Sequence, residues 1–221
     1  MSKYSKNNHT IYINDNGIEI PSVTTILKIL NKPKLLKWVN YLGFKRQKYE
    51  DVLQNYSDIG VLVHYVIQCT LSNQPFNLND IRMKCVNNAI FHIQAFKHWK
   101  DTHIIEPIML EEQLVSERFG GTIDFYGKID GKLLLLDFKT SKDFYSSMFL
   151  QLAGYYLLIT EQKLIVDGIG IIIFNNNGVK EKIIISKDTI EKYVEVFNYL
   201  LYLFHSWFDL NECDNWGSIL E

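Results

Sequence analysis

Residues 133–142 read LLLLDFKTSK: four leucines in succession, then Asp137, Lys139 and Lys142 within six positions. Such a run belongs to a buried strand, and the charges behind it mark where the strand surfaces, which is how most strands end. Strand geometry supplies a sharper reading. Successive side chains alternate faces, so Asp137 and Lys139 point to the same side, one pleat apart, at the rim of a sheet. A carboxylate and an ammonium that share one site suit metal-assisted hydrolysis, the acid holding a divalent cation while the lysine orients or polarises the attacking water. Further oxygen ligands converging on the same rim would decide between the two readings.

The chain is long enough for one globular domain with a real core: 221 residues, 47% hydrophobic. Its start, MSKYSKNNHT, lacks the apolar segment of a signal peptide, and no apolar run approaches the ~18 residues of a membrane span. A soluble, cytoplasmic protein without a membrane partner is expected. Cys69, Cys85 and Cys213 are odd in number and form no CxxC pair, so neither a disulfide framework nor a four-cysteine cluster site is readable, and buried free thiols are expected. Richness in Asn, Lys, Ile and Tyr points to an AT-rich genome, such as that of a phage acting in its host cell.

Net charge is −2, which argues against a nucleic-acid partner only if the charge is spread evenly. It is not. Lys28, Lys32, Lys34, Lys37, Lys45, Arg46 and Lys48 fall between residues 28 and 49 with no acid among them, interleaved with Trp38, Tyr41 and Phe44. This is a cationic patch with stacking surfaces, suited to a nucleic-acid strand. The competing reading makes Leu35, Trp38, Tyr41 and Leu42 a buried helix face and the lysines ordinary solvated surface.

Hydrophobic periodicity predicts a short strand at IYIND, a helix starting near Ser22, a second with Pro33 in its first turn, and longer helices over 50–71 and 81–99. Composition then changes. EEQLVSE (111–117), GTIDFYGKI (121–129) and KLLLLDFK (132–139) are strands joined by the turn sequences RFGG and DG, an antiparallel meander. A helix over 143–160, strands GIGIIIF (168–174) and KEKIIIS (180–186), and a long amphipathic helix over 188–208 complete the reading, with FNNNG as a loop. The fold class is α/β: a mixed central sheet with an antiparallel meander, flanked by helices, behind a helical N-terminal part. One domain spans 1–221, mainly helical over 1–105 and α/β over 106–221. Asp124 in the middle strand and Asp137 at the end of the third reach one rim if those strands are neighbours.

GGTIDF, then LLDFKTS with its Asp137 thirteen positions after Asp124, then FLQLAGYY, together with DIGVLVHYVI upstream, resemble the PD-(D/E)xK nuclease superfamily in its RecB-like branch. The opening IPSVTTIL is similar to that of the mitochondrial genome maintenance exonuclease and of phage-encoded exonucleases, so the resemblance covers residues 20–160. It implies a restriction-endonuclease-like core and a catalytic set of Asp124, Asp137, Lys139, His64 and Gln151. By the same resemblance His64, Asp124 and Asp137 hold Mg²⁺ or Mn²⁺, and Tyr155 pairs with Gln151. Thr140, Ser141 and Tyr155 join Lys34, Lys37, Trp38, Lys45 and Arg46 as expected DNA contacts. Gln68 stands where the family often has a glutamate, and Glu112 or Glu117 is left as a source of a further carboxylate. His92, His98, His103 and His205 are not spaced as helical metal pairs and read as packing or surface residues.

The expected function is a divalent-metal-dependent deoxyribonuclease, an exonuclease on single strands or DNA ends in repair or recombination. The alternative is a non-catalytic DNA-end-binding or scaffold subunit with the same fold. Retention of both acids and the lysine separates the two.

Overall fold

The computed structural model describes residues 10–76 and 83–214. A small hairpin comes first, β1 (Tyr12–Ile13) pairing antiparallel with β2 (Glu19–Ile20), the second strand unanticipated in the sequence. Ser22 caps the short helix α1 (Val23–Ile26), its Oγ accepting the Thr25 N–H at 3.0 Å. Pro33 opens α2 (Pro33–Phe44), at a position where its missing N–H costs no hydrogen bond. α3 (Tyr49–Leu71) and α4 (Met83–Asp101) complete the helical N-terminal part.

Five further strands form one sheet in the order β3 (Ile105–Val115), β4 (Gly120–Ile129), β5 (Lys132–Lys139), β6 (Gly168–Asn175) and β7 (Gly178–Ile184). Neighbours are antiparallel except β5 and β6, which run parallel because α5 (Ser146–Glu161) carries the chain back over the sheet between them. α6 (Lys187–Asp214) closes the described chain. The expected mixed α/β architecture is therefore present, with β3 starting six residues ahead of the predicted Glu111 and FNNNG tightened to a two-residue hairpin turn in which Gly178 takes φ +101°. Among the described residues no helix is long and apolar enough to cross a membrane. Residues 1–9, on which the reading of the chain's start rests, lie outside the described part; Cys69 is a buried free thiol, and the side chains of Cys85 and Cys213 also lie outside.

The four leucines now have a cause. Helices cover both faces of the sheet, so β5 needs apolar residues at every position rather than every second one. Leu135 joins the core under α1, α5 and α6, with Leu133 packed against it, while Leu134, Leu136 and Phe138 join the core under α3 and α4. β6 divides the same way, Ile169, Ile171 and Ile173 to one side and Ile172 and Phe174 to the other. α2 departs from the buried-face reading. Only Leu42 is buried there, and Tyr41 and Phe44 are exposed.

Because Leu135 is wholly buried between β-strands and α5, Leu135→Ala should cost ~2–5 kcal/mol of stability. Urea unfolding followed by circular dichroism measures it, and a loss well under 1 kcal/mol would show that this layer repacks freely.

Candidate active site

A regular strand keeps residues of equal parity on one face, and both β3 and β4 break that rule at the same place. Leu110 packs with the α3 and α4 side whereas Leu114, four residues on, belongs to the opposite core; Phe125 and Ile123 part in the same way. The register pairs Leu110 with Phe125 and Glu112 with Ile123, so the residues at the break, Glu111 and Asp124, lie opposite each other. Glu111 has φ +50°, a left-handed conformation uncommon for a side chain of its size, and this local turn throws the strand out of phase. Two carboxylates thereby leave the pleat together. Beyond Phe125 the pairing of β4 with β5 ends, which frees the N–H of Phe138, and Asp124 Oδ2 accepts it at 2.7 Å.

α3 brings the imidazole. Its apolar stripe of Ile59, Leu62, Val63, Val66 and Ile67 packs on the sheet, and His64 beside that stripe reaches the end of β5. The Nε2–H donates to the Phe138 carbonyl at 2.9 Å, which turns Nδ1 toward Glu111 Oε1 at 3.2 Å and Asp124 Oδ1 at 3.6 Å. One ligand atom from each of His64, Glu111 and Asp124 lies within 4.8 Å of the others. Asp137, one pleat from Lys139 as strand alternation requires, is completely buried, and its Oδ2 meets Lys139 Nζ at 2.5 Å.

Charge is unbalanced here. Three carboxylates face one lysine and one imidazole. Burial alone would lower the His64 pKa, but Asp124 and Glu111 outweigh it and hold the ring protonated up to about 9. Burial raises Asp124, His64 pulling against it and Glu111 adding to it; burial likewise raises Asp137, with Lys139 opposing. Burial disfavours the Lys139 ammonium, yet Asp137 and Asp124 overcome that and raise its pKa. The Tyr155 hydroxyl is raised well above its ordinary value by burial, then by Asp137 and Asp124.

These residues fit a divalent cation. Asp137 Oδ1 is buried without a protein hydrogen-bond donor, an orphaned oxygen of the kind a bound ion satisfies. The carboxylate-rich donor set suits Mg²⁺ or Mn²⁺, with the imidazole held in its tautomer by the Phe138 carbonyl.

The remaining sequence-derived residues fall as follows. Gln151 Nε2–H donates to the Tyr155 hydroxyl at 2.8 Å, and the buried Tyr155 ring lies so close to Gly121 that a Cβ there would sit 2.6 Å from Cε1. Tyr155 is thus packed into the core beside the site, not offered to solvent as a DNA contact would be. Thr140 and Ser141 are half-buried just past Lys139, in a loop held by Asn175 Nδ2–H donating to the Ser141 carbonyl. Lys34 sits over the Tyr145 ring at 5.8 Å, Lys45 over Tyr41 at 5.7 Å, and Lys37 and Arg46 are exposed. Trp38 is half-buried against Tyr49 and Tyr56. Glu112 and Glu117 are exposed and stand outside the ligand group; Glu111 takes that place. Sequence reasoning passed over Glu111 because a left-handed strand residue leaves no compositional trace. His92 packs as expected, its Nδ1–H donating to the Phe174 carbonyl at 2.6 Å, and His103 bonds the Trp99 carbonyl in the same manner.

No protein-family model matches the chain, and no curated protein matches it. Among solved structures it is similar to an alkaline exonuclease, LHK-Exo, from Laribacter hongkongensis, at 12% identity over 88% of this chain and 94% of that one, with a TM-score of 0.38. The complex of LHK-Exo with dAMP matches at 12% identity over 67% and 82%, with a TM-score of 0.35. The protein SSO0001 matches at 16% identity over 53% of this chain and 61% of its own length, with a TM-score of 0.31. Likeness at this level carries neither an activity nor residue roles across.

His64 titrates near 9 in the fold against 6.5 ordinarily, so its contribution to stability is complete below 6.5 and lost as pH rises through 9. Asp137, held up to about 6, acts in the same direction over the lower interval from 3.8 to about 6, and Asp124 is raised likewise. In EDTA the melting temperature should therefore fall between pH 6.5 and 9, less so in His64→Gln. Mn²⁺ must displace the imidazole proton, so its affinity should rise over the same interval. A flat calorimetric titration across these pH values would remove His64 from the ligands.

Proposed function

We propose that the chain is a divalent-metal-dependent DNA nuclease that hydrolyses phosphodiester bonds, acting as an exonuclease on single strands or DNA ends. The observation that carries this reading is the meeting of His64, Glu111 and Asp124 beside a buried Asp137–Lys139 pair. Phosphodiester hydrolysis needs a positioned nucleophile and neutralisation of charge developing on the phosphate. Bound Mg²⁺ or Mn²⁺ would supply that neutralisation and lower the pKa of a coordinated water. His64, Glu111 and Asp124 would hold the ion; Asp137, expected as a ligand, is not one of that group and would contribute through its unbonded Oδ1.

In the metal-free protein Asp137 and Asp124 favour the Lys139 ammonium, and in that form it would donate to a water or a phosphate oxygen. Gln151 and the neutral Tyr155 hydroxyl form a bonded pair next to these acids and fix the floor of the site. Thr140 and Ser141 follow Lys139 directly and offer hydroxyls where the strand would leave the site.

The path of the substrate is supported by α2 and α3. Tyr56 lies two helical turns before His64, roughly 12 Å along α3, and Trp38 and Tyr49 cluster with it. Lys34, one helical turn before Trp38, sits over Tyr145 at the start of α5, and Lys37, Lys45 and Arg46 are exposed on and just beyond α2. Aromatic faces for bases and ammonium groups for phosphates suit a single strand bound without sequence preference.

Cleavage of labelled single-stranded and duplex DNA with Mg²⁺, Mn²⁺ or EDTA tests the reading. Asp137→Asn and Lys139→Ala should each abolish cutting while the folded protein still melts cooperatively, and Glu111→Gln should raise the metal concentration needed. Wild-type protein that binds DNA but never cuts it would favour a non-catalytic end-binding subunit. Lys34→Gln/Lys37→Gln should weaken DNA binding and flatten its salt dependence more than it slows chemistry, since these groups meet the ground state and transition state alike. Equal affinity and salt slope in wild type and variant would move the DNA path elsewhere. Trp38→Ala should lose ~1–3 kcal/mol of binding if its ring stacks on a base.

A further inference from the structure

α6 buries one face, with Ile190, Phe197 and Leu201 in the core shared with α1 and α5. Its outward face carries an apolar stripe edged by Glu195, whose Oε1 accepts the Tyr199 hydroxyl at 3.1 Å. Val196, Tyr199, Tyr202, Leu203 and Trp207 are 45%, 66%, 74%, 46% and 54% exposed. Residues 196, 199, 203 and 207 are three, four and four apart, which sets them in one stripe along the helix with Tyr202 beside it. From Val196 to Trp207 the sequence holds no Asp, Glu, Lys or Arg.

We infer that this stripe is the interface of a homodimer in which α6 lies antiparallel on α6 of a second copy. The chemistry selects the occupant. A nucleic acid needs cations, and the stripe has none. A membrane-surface helix flanks its apolar face with lysine and arginine, which are absent over these residues. A protein partner matches, since interface centres are depleted of charge and enriched in tyrosine and tryptophan. Whole aromatic side chains present ~150–250 Å² each, so the stripe at these exposures offers roughly 500 Å². Used on both copies, that is about 1,000 Å², the lower limit for a specific interface.

Shape selects a second copy of this chain. In one antiparallel register, with the two-fold axis level with residue 201, Tyr199 faces the partner's Leu203 and Val196 faces the partner's Ser206, next to its Trp207. A ring meets or adjoins a smaller aliphatic group at each step, as interdigitating layers require, and the symmetry repeats every pairing.

Light scattering on the full chain at micromolar concentration should give twice the 25.9 kDa of one copy. Tyr199→Glu/Leu203→Glu should halve that mass with an unchanged far-ultraviolet spectrum. Tyr199→Cys/Leu203→Cys should cross-link to a dimer under mild oxidation, which keeps the test valid if the charged variant fails to fold. A monomeric wild type, a dimer that survives the charged pair and does not cross-link, or a monomer that sediments with anionic vesicles would each overturn the inference. None of these measurements depends on nuclease activity.

Discussion

The peptide groups flanking Phe138 hold the site together. Its N–H is taken by Asp124 from β4 and its carbonyl by His64 from α3, while its ring is buried in the α3 and α4 core. Three separate elements are thereby locked to one residue whose side chain touches none of the chemistry. Both bonds use groups that a fully paired sheet would have spent on a neighbouring strand, and they are available only because β4 leaves β5 after Phe125. The phase break at Glu111 and Asp124 sits on the same boundary. Where the sheet stops being regular, the site begins.

This boundary also organises the electrostatics. Asp137 and Lys139 emerge from a strand buried on both faces, so their charges meet little solvent, and the cations facing the neighbouring acids, among the described residues, are Lys139 and a protonated His64. An apolar core adjoining excess carboxylate makes Asp124, Asp137 and His64 hold protons that the unfolded chain would release, and a cation bound by these groups would have to displace them.

Much of this was legible in advance, for identifiable reasons. The meander over β3, β4 and β5 follows from alternation and turn chemistry, and the shared side of Asp137 and Lys139 follows from strand period alone. The features that escaped depend on backbone departures: the left-handed φ of Glu111, which chooses it over Glu112 and Glu117, and the early start of β3 at Ile105. Periodicity left α2 open: helical spacing of Leu35, Trp38, Tyr41 and Leu42 is real, but nothing in one chain's periodicity says whether a second surface covers that face, and here Leu42 is buried, Trp38 half-buried, and Leu35 and Tyr41 exposed.

The bond from His64 to Phe138 spans 74 positions, whereas that from Asp124 spans 14. Closing the longer loop costs more chain entropy and waits on contacts that the local hairpins make without it. The meander can thus collect its acids early, but the imidazole arrives only when α3 docks. Contact order therefore predicts that the carboxylates of β3, β4 and β5 come together before the imidazole joins them, their mutual repulsion relieved by Lys139 alone until α3 docks.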